Sequence, residues 1–296
     1  MQSNQRPVMV GLGEVLWDVL PTKKEFGGAP ANFAYHANAL GGDGWVVSCV
    51  GDDPLGSEII ERLEAMDIDR KFVAVDREHP TGTVSVEIDS DGKPTYVIHE
   101  GVAWDFIPAV AGLDEAAGRV DAVCFGSLAQ RSPVSRATIG RFLAATGPDC
   151  LRIFDINLRQ HYYDLETVSA SLEAANVLKL NDEELPEVAR LLNIDGDENQ
   201  LLQSLLERFG LKLVALTKGE KGSLLIAPGE NSQRIAVSTK IADTVGAGDA
   251  FTAVVAVGLM RELDLQTINR HASRVAAYVC SQSGATPDMP EQFSKF

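Results

Sequence analysis

Six short apolar runs punctuate the chain: VMVGLG (8–13), WVVSCV (45–50), DAVCFG (121–126), LRIFDI (151–156), VLKLN (177–181) and LVALT (213–217). They alternate little, as strands covered on both faces do. Helical patterns lie between most of them. Leu55, Ile59, Leu63 and Met66 recur at three- and four-residue spacing, and Ile268, Ala272, Val275 and Val279 do so near the C-terminus. Strand and helix in alternation dictate an α/β fold, a doubly wound and mainly parallel sheet flanked by helices. No tandem repeat or low-complexity linker divides the 296 residues. The expectation is one domain spanning residues 1–296.

One stretch departs from this pattern. TGTVSVEIDSDGKPTYVIHE (81–100) sets Val84, Val86 and Ile88 against Thr83, Ser85 and Glu87. Asp91-Gly92 is a hairpin turn signal, and Tyr96 and Ile98 then alternate with Thr95 and Val97. This reads as an antiparallel hairpin with one apolar face. Lying over an edge of the core it would form a lid, and its apolar face needs cover from the core or from a second subunit. A homodimer built through the lid is the expectation drawn from that need.

The bulk numbers narrow the partners. Lys plus Arg is 26 and Asp plus Glu is 42, a formal charge of −16. Such a field repels nucleic acid and anionic membranes at long range. No apolar run reaches the ~20 residues of a membrane span, and the N-terminus lacks a charged-then-apolar signal pattern. A cytoplasmic protein is expected. Cys49, Cys124, Cys150 and Cys280 form no C-x-x-C pair and read as small buried hydrophobes in a reducing compartment. The five histidines, His36, His79, His99, His161 and His271, include no pair at metal-ligand spacing.

Six segments carry groups that suit chemistry. DTVGAGDAF (243–251) precedes an apolar helix over 250–260. Its first turn offers free N–H groups and the positive end of the helix dipole. Gly246 and Gly248 let a ligand approach the main chain, so the GAG backbone is a candidate anion cradle. Asp249 falls at or next to the N-cap. It either caps the helix or accepts a proton from an attacking hydroxyl while the amides hold charge on a transferred phosphoryl group. FGGAPANFA (26–34) reads as a turn feeding a helix, with Pro30 near its first position and Asn32 near the mouth. GEVLWD (13–18) puts Asp18 just past the first strand. DINLR (155–159) and NDEEL (181–185) bring Asp155, Asn157, Arg159, Asn181 and Glu184 to strand ends. Glu184 would hold hydrated Mg²⁺ through water or cap its own helix. TKGEKGS (217–223) follows LVALT, and Thr217, Gly219 and Gly222 would line a nucleotide or form a plain turn. Five strand ends converging on one edge define a site, because ligands of open α/β sheets bind beyond the carboxyl ends of strands. No Gly-Lys-Ser/Thr phosphate loop exists, and GLGEVL lacks the third glycine of a dinucleotide fingerprint.

GGAPANFA and DTVGAGDAF resemble the two signatures of the ribokinase-like (PfkB) carbohydrate kinases, and DINLR, NDEE and TKGEKG fall in that family's order. The resemblance spans roughly residues 8 to 290. It implies a doubly wound domain with a small antiparallel β-sheet lid, made here by inserted segments at about 14–28 and 80–103. It implies that Asp249 is the general base, with Gly246, Ala247 and Gly248 as the anion hole. Asp18, Gly28, Asn32 and Asn157 would hold the sugar, and Arg159 would reach sugar or transferred phosphate. Asn181 and Glu184 match an N-x-x-E element serving Mg²⁺ and phosphate. Thr217, Lys218, Gly219 and Gly222 would line ATP. SQSGATP (281–287) resembles the loop near adenine, and Ser273 stands where many members carry Asn or His. Asp243 would frame a K⁺ site.

GGAPANFA with GEVLWD is similar to the fructokinase branch. The expected reaction is fructose to fructose 6-phosphate. 2-Keto-3-deoxygluconate is the next candidate, since Arg159 would pair its carboxylate, with other ketose or ribose kinases behind it. Two rivals come from other classes. A non-catalytic sugar-binding regulator has no use for Asp249, and a nicotinamide-dependent oxidoreductase lacks its fingerprint.

Overall fold

The computed structural model describes residues 6–19, 23–88 and 94–296. The chain begins with β1 (Val8–Leu12), β2 (Leu16–Val19), β3 (Lys24–Gly27) and α1 (Ala29–Ala39). Then come β4 (Asp43–Gly51), α2 (Pro54–Ala65), β5 (Asp69–Asp76), β6 (Thr83–Ile88), β7 (Pro94–Ile98) and α3 (Leu113–Ala117). The middle alternates β8 (Ala122–Phe125), α4 (Pro133–Ala145), β9 (Leu151–Asp155), α5 (Leu165–Ala174) and β10 (Val177–Asn181). It continues through α6 (Glu184–Leu192), α7 (Glu198–Arg208), β11 (Leu213–Thr217), β12 (Ser223–Ala227) and β13 (Glu230–Arg234). Two helices, α8 (Ala247–Met260) and α9 (Leu265–Cys280), follow.

The main sheet runs β13-β12-β11-β10-β9-β8-β1-β4-β5. From β11 to β5 every pair is parallel, and β12 and β13 close one edge antiparallel. All six apolar runs are strands of the parallel block. They are apolar on both faces because both are covered. Met9, Ala122, Ile153 and Val177 pack towards α1, α8 and α9. Val10, Val123, Phe154 and Leu178 pack into the second core with α4 to α7. Val10 stands opposite Trp45 on one side and Val123 on the other, which fixes the register. A slip of one residue would exchange the two cores.

The lid is a four-stranded sheet in the order β3-β2-β6-β7. Its two pairs β2–β3 and β6–β7 are antiparallel, as expected, but β2 joins β6 in parallel. The Asp91-Gly92 turn lies outside the described residues. Val84 and Ile98 stand opposite each other, are each 7% exposed, and face the cavity under the lid. On the opposite side β2 meets α2, where Trp17 Nε1 donates to the Leu55 carbonyl at 3.1 Å. Val84 and Ile98 are thus covered within the chain, whereas Tyr96, two residues before Ile98 on the same face of β7, is 58% exposed. Among the described residues, no helix is long and apolar enough to cross a membrane.

Candidate active site

A cavity of about 600 Å³ separates the carboxyl ends of the main strands from the lid. It gathers most of the expected residues. Asp18 comes from β2, so it stands on the lid strand rather than in a turn after β1. Gly28, the N-cap residue of α1, and Asn32 in that helix's first turns line the same wall. Asn157 and Arg159 follow β9, Asn181 and Glu184 span the turn from β10 into α6, and Thr217 ends β11. Gly246, Gly248 and Asp249 close the floor at the start of α8.

The α8 terminus differs from the expectation in one respect. Asp249 is the third helical residue, and the N-cap is Gly246, with no side-chain cap. Gly246 has φ 78, and a Cβ there would lie 2.5 Å from the Ala285 carbonyl oxygen. Only glycine holds that left-handed turn so close to another backbone. Asp249 is therefore free of capping duty. Its Oδ2 accepts from Asn32 Nδ2 at 2.8 Å, a contact spanning 217 residues of sequence. Withdrawal from water raises the Asp249 carboxyl to about 6, and the negative charge of Asp155 adds to this. Asn32, Lys179 and Arg159 pull the other way.

The loop behind Gly246 is anchored to α1. His36 is 0% exposed, and burial lowers it to about 4, so its ring is neutral near pH 7. Its Nε2 then donates to the Ala285 carbonyl at 2.9 Å. The Tyr35 hydroxyl donates to the Pro287 carbonyl at 2.7 Å. The two residues directly after the first signature thus brace the loop against which the second signature turns.

Three charged residues of the site escaped the sequence reading in whole or part. Glu14, between β1 and β2, lines the cavity at 2% exposure, and its Oε2 has no partner among the described residues. Burial raises it to about 7, and Asp249 contributes to the rise. The available signal was an acid directly after the apolar run of β1. Lys179 is the one charge inside the apolar VLKLN strand, where a lysine needs a partner. It has one in Asp155, at 3.0 Å. Asp155, at the strand end that opens DINLR, lies in the network beneath the floor and does not line the cavity.

Glu184 is 6% exposed, and burial raises its carboxyl above the ordinary range. Its two oxygens accept the backbone N–H groups of Leu158 at 3.1 Å and Asn181 at 2.8 Å. The Asn181 side chain in return accepts the N–H groups of Glu183 and Glu184, capping α6. The remaining lone pairs of Glu184 suit a hydrated cation reached through water. Among the described residues, no group of three or more His, Cys, Asp or Glu could hold a bare metal ion.

Several expected residues lie off the cavity. Lys218 pairs with Glu198 of α7 at 3.0 Å. Gly222 has φ 101 and lies where a Cβ would strike the Arg234 carbonyl, so its glycine serves the β12–β13 edge. Gly219 sits in the turn before β12, clear of the cavity lining. Ser273 is buried in α9, with its hydroxyl 3.3 Å from that of Ser223. Ala247 is the first residue of α8 and does not itself line the cavity. Asp243 ties two loops together, accepting from Val245 N–H at 3.1 Å and Gly284 N–H at 3.2 Å. Each of its oxygens takes one amide and keeps a further lone pair, as those of Glu184 do.

A profile of pfkB family carbohydrate kinases matches residues 11–292. A sugar kinase of Pyrococcus horikoshii is 30% identical over 288 residues, covering 91% of this chain and 85% of that one. A fructokinase of Klebsiella pneumoniae is 32% identical over 260 residues, covering 84% and 83%. The solved P. horikoshii sugar kinase in complex with ATP aligns at a TM-score of 0.79 and 26% identity, over 94% of each chain. The chain belongs to the pfkB family of carbohydrate kinases, and its fold is ribokinase-like. It is an ATP-dependent sugar kinase.

One acid gives a stability test. Burial, and then the Glu25 charge, raise Asp18 from 3.8 to about 6. The folded state therefore holds this proton more tightly than the unfolded chain. Such a group costs stability once pH exceeds its folded value, and the cost fades as pH falls towards 4. Asp18→Asn should raise the melting temperature at pH 8, raise it much less at pH 4, and weaken sugar binding. Thermal melts at the two pH values with sugar KM at pH 8 check this. A lower melting temperature at pH 8 would contradict the assignment.

Proposed function

We propose that this kinase phosphorylates the primary hydroxyl of an unphosphorylated ketose, with fructose as substrate and fructose 6-phosphate as product. The observation that carries the reading is Asp249, at the α8 terminus, fixed by Asn32 in the cavity beneath the lid. Asp249 takes the proton of the sugar hydroxyl. The hydroxyl oxygen bonds to the terminal phosphorus of ATP, the bond from that phosphorus to its bridging oxygen breaks, and ADP leaves with the electron pair. The N–H groups of the first α8 turn receive charge on the transferred group. Bound Mg²⁺ supplies further neutralisation of the phosphates, and Glu184 is the residue fitted to hold its water shell. Val84, Tyr96 and Ile98 of the lid face the cavity and exclude water from competing as acceptor.

The acceptor end is acidic. Glu14, Asp18 and Asp249 surround it, against the guanidinium of Arg159. That balance disfavours a phosphorylated acceptor and suits a neutral polyol, as does similarity to the fructokinase of K. pneumoniae. A second reading has an observation of its own. Arg159 has the Leu158 carbonyl as its hydrogen-bond partner and could pair the carboxylate of 2-keto-3-deoxygluconate.

The test is ADP release with fructose, ribose, 2-keto-3-deoxygluconate and fructose 6-phosphate as acceptors. Fructose should show the highest kcat/KM. A tenfold advantage for 2-keto-3-deoxygluconate would replace fructose with the acid. Silence with every sugar would point to a binding protein that has lost turnover.

A further inference from the structure

The floor of the cavity rests on a buried charged network. Lys179 of β10 is 8% exposed and Asp155 of β9 is 4% exposed. Lys179 Nζ donates to Asp155 Oδ1 at 3.0 Å, and Thr252 Oγ1 of α8 donates to Asp155 Oδ2 at 2.8 Å. Asp155 thus joins a cation on one strand to the helix that carries Asp249. Lys179 also lines the cavity, and a Cβ on Gly248 would lie 3.1 Å from its Nζ. The ammonium therefore sits directly against the glycine cradle.

A merely structural role explains this poorly. Burying an ion pair gains little stability over a well-packed apolar pair. An ammonium has three donors. Asp155 is the sole hydrogen-bond partner of Lys179 among the described residues, which leaves donors free at the cavity floor. The charge there has the sign that a transferred phosphoryl group requires.

We propose that Lys179 is a catalytic residue that contacts the transferred phosphoryl group, and that Asp155 is its positioning residue, holding both the cation and the first turns of α8. The proposal rests on the sugar-kinase reading and on no particular sugar. Asp155 has a second consequence, since its charge makes Asp249 more basic while that of Lys179 makes it less so. The other groups acting on Asp249 are Asn32 of α1 and Arg159 after β9, and Glu14 before β2 is coupled to it.

The test is the pH profile of kcat at saturating ATP and Mg²⁺, with the sugar that wild type turns over best. Its acid limb reports Asp249. Lys179→Met should lower kcat ~10²-fold, the scale of one lost charge-stabilising donor, and move the limb to higher pH. Asp155→Asn should lower kcat about tenfold, less than loss of a contacting group, and move the limb to lower pH. Lys179→Arg should restore part of kcat. Because each single change strands a buried charge, the double variant D155N/K179M is the control for folding. It removes both charges and should fold, yet remain ~10²-fold slow, since the phosphoryl cation is gone. Recovery of wild-type kcat in the double variant would overturn the proposal, and so would single variants whose limbs stay in place. A wild type that phosphorylates no sugar would remove the sugar-kinase reading itself, an outcome visible before any variant is made.

Discussion

Asp249→Asn should lower kcat by ~10²–10⁴-fold, the usual worth of a general base. The substitution is close to isosteric, and its amide oxygen can still accept from Asn32 Nδ2. ATP and sugar KM should therefore change only a few-fold. Wild-type kcat should fall as pH drops through about 6, because the raised carboxyl then takes up its proton. The variant should lose that acid limb. It should also melt higher than wild type at pH 8. An acid whose folded value is raised destabilises the fold above that value, and the amide removes the penalty. Coupled ADP assays across pH 5–9 and melts at pH 8 decide the matter. Turnover like that of wild type would take Asp249 out of the reaction.

The reason this residue could be found in the sequence also explains where the reading stopped. α8 was legible because nine consecutive residues, Ala250 to Gly258, are buried in it, and an all-round apolar helix has one physical meaning. The glycines before it marked a special turn. The sequence did not reveal what holds Asp249. Asn32 lies 217 residues away and the brace from His36 to Ala285 spans 249, so no local pattern encodes them. The parallel strands were legible from burial on both faces. β13, with sequence ENSQR, carries no strand pattern at all, and exists as an edge because β12 offers it a ladder. TKGEKGS shows the reverse case. Its turn character was visible, but Lys218 turned to Glu198 and Gly222 to the β13 edge, choices made by tertiary neighbours. Glu14 and Lys179 were single charges beside or within apolar runs. Buried ionisable groups of that kind cluster at functional sites.

Gly246→Ala should be the most damaging small substitution in the cradle. A methyl group there would lie 2.5 Å from the Ala285 carbonyl oxygen and 2.6 Å from its Cα. The left-handed turn costs a further ~1–2 kcal/mol for a residue with a Cβ. The loop cannot retreat cheaply, because His36 and Tyr35 hold it from α1. The helix start must shift instead, and its N–H groups with it. The melting temperature should fall, and kcat should drop ~10²–10³-fold, the cost of one misplaced oxyanion donor. Gly248→Ala is the informative partner. Its methyl would meet only the tip of the Lys179 side chain, at 3.1 Å. A flexible tip can yield where a braced backbone cannot, so this variant should lose little melting temperature while still losing kcat as the ammonium is displaced. Parallel melts and turnover measurements separate the two. If both variants lost stability and kept kcat, the glycines would be needed for folding alone, and the first turn of α8 would not be where the phosphoryl charge is held.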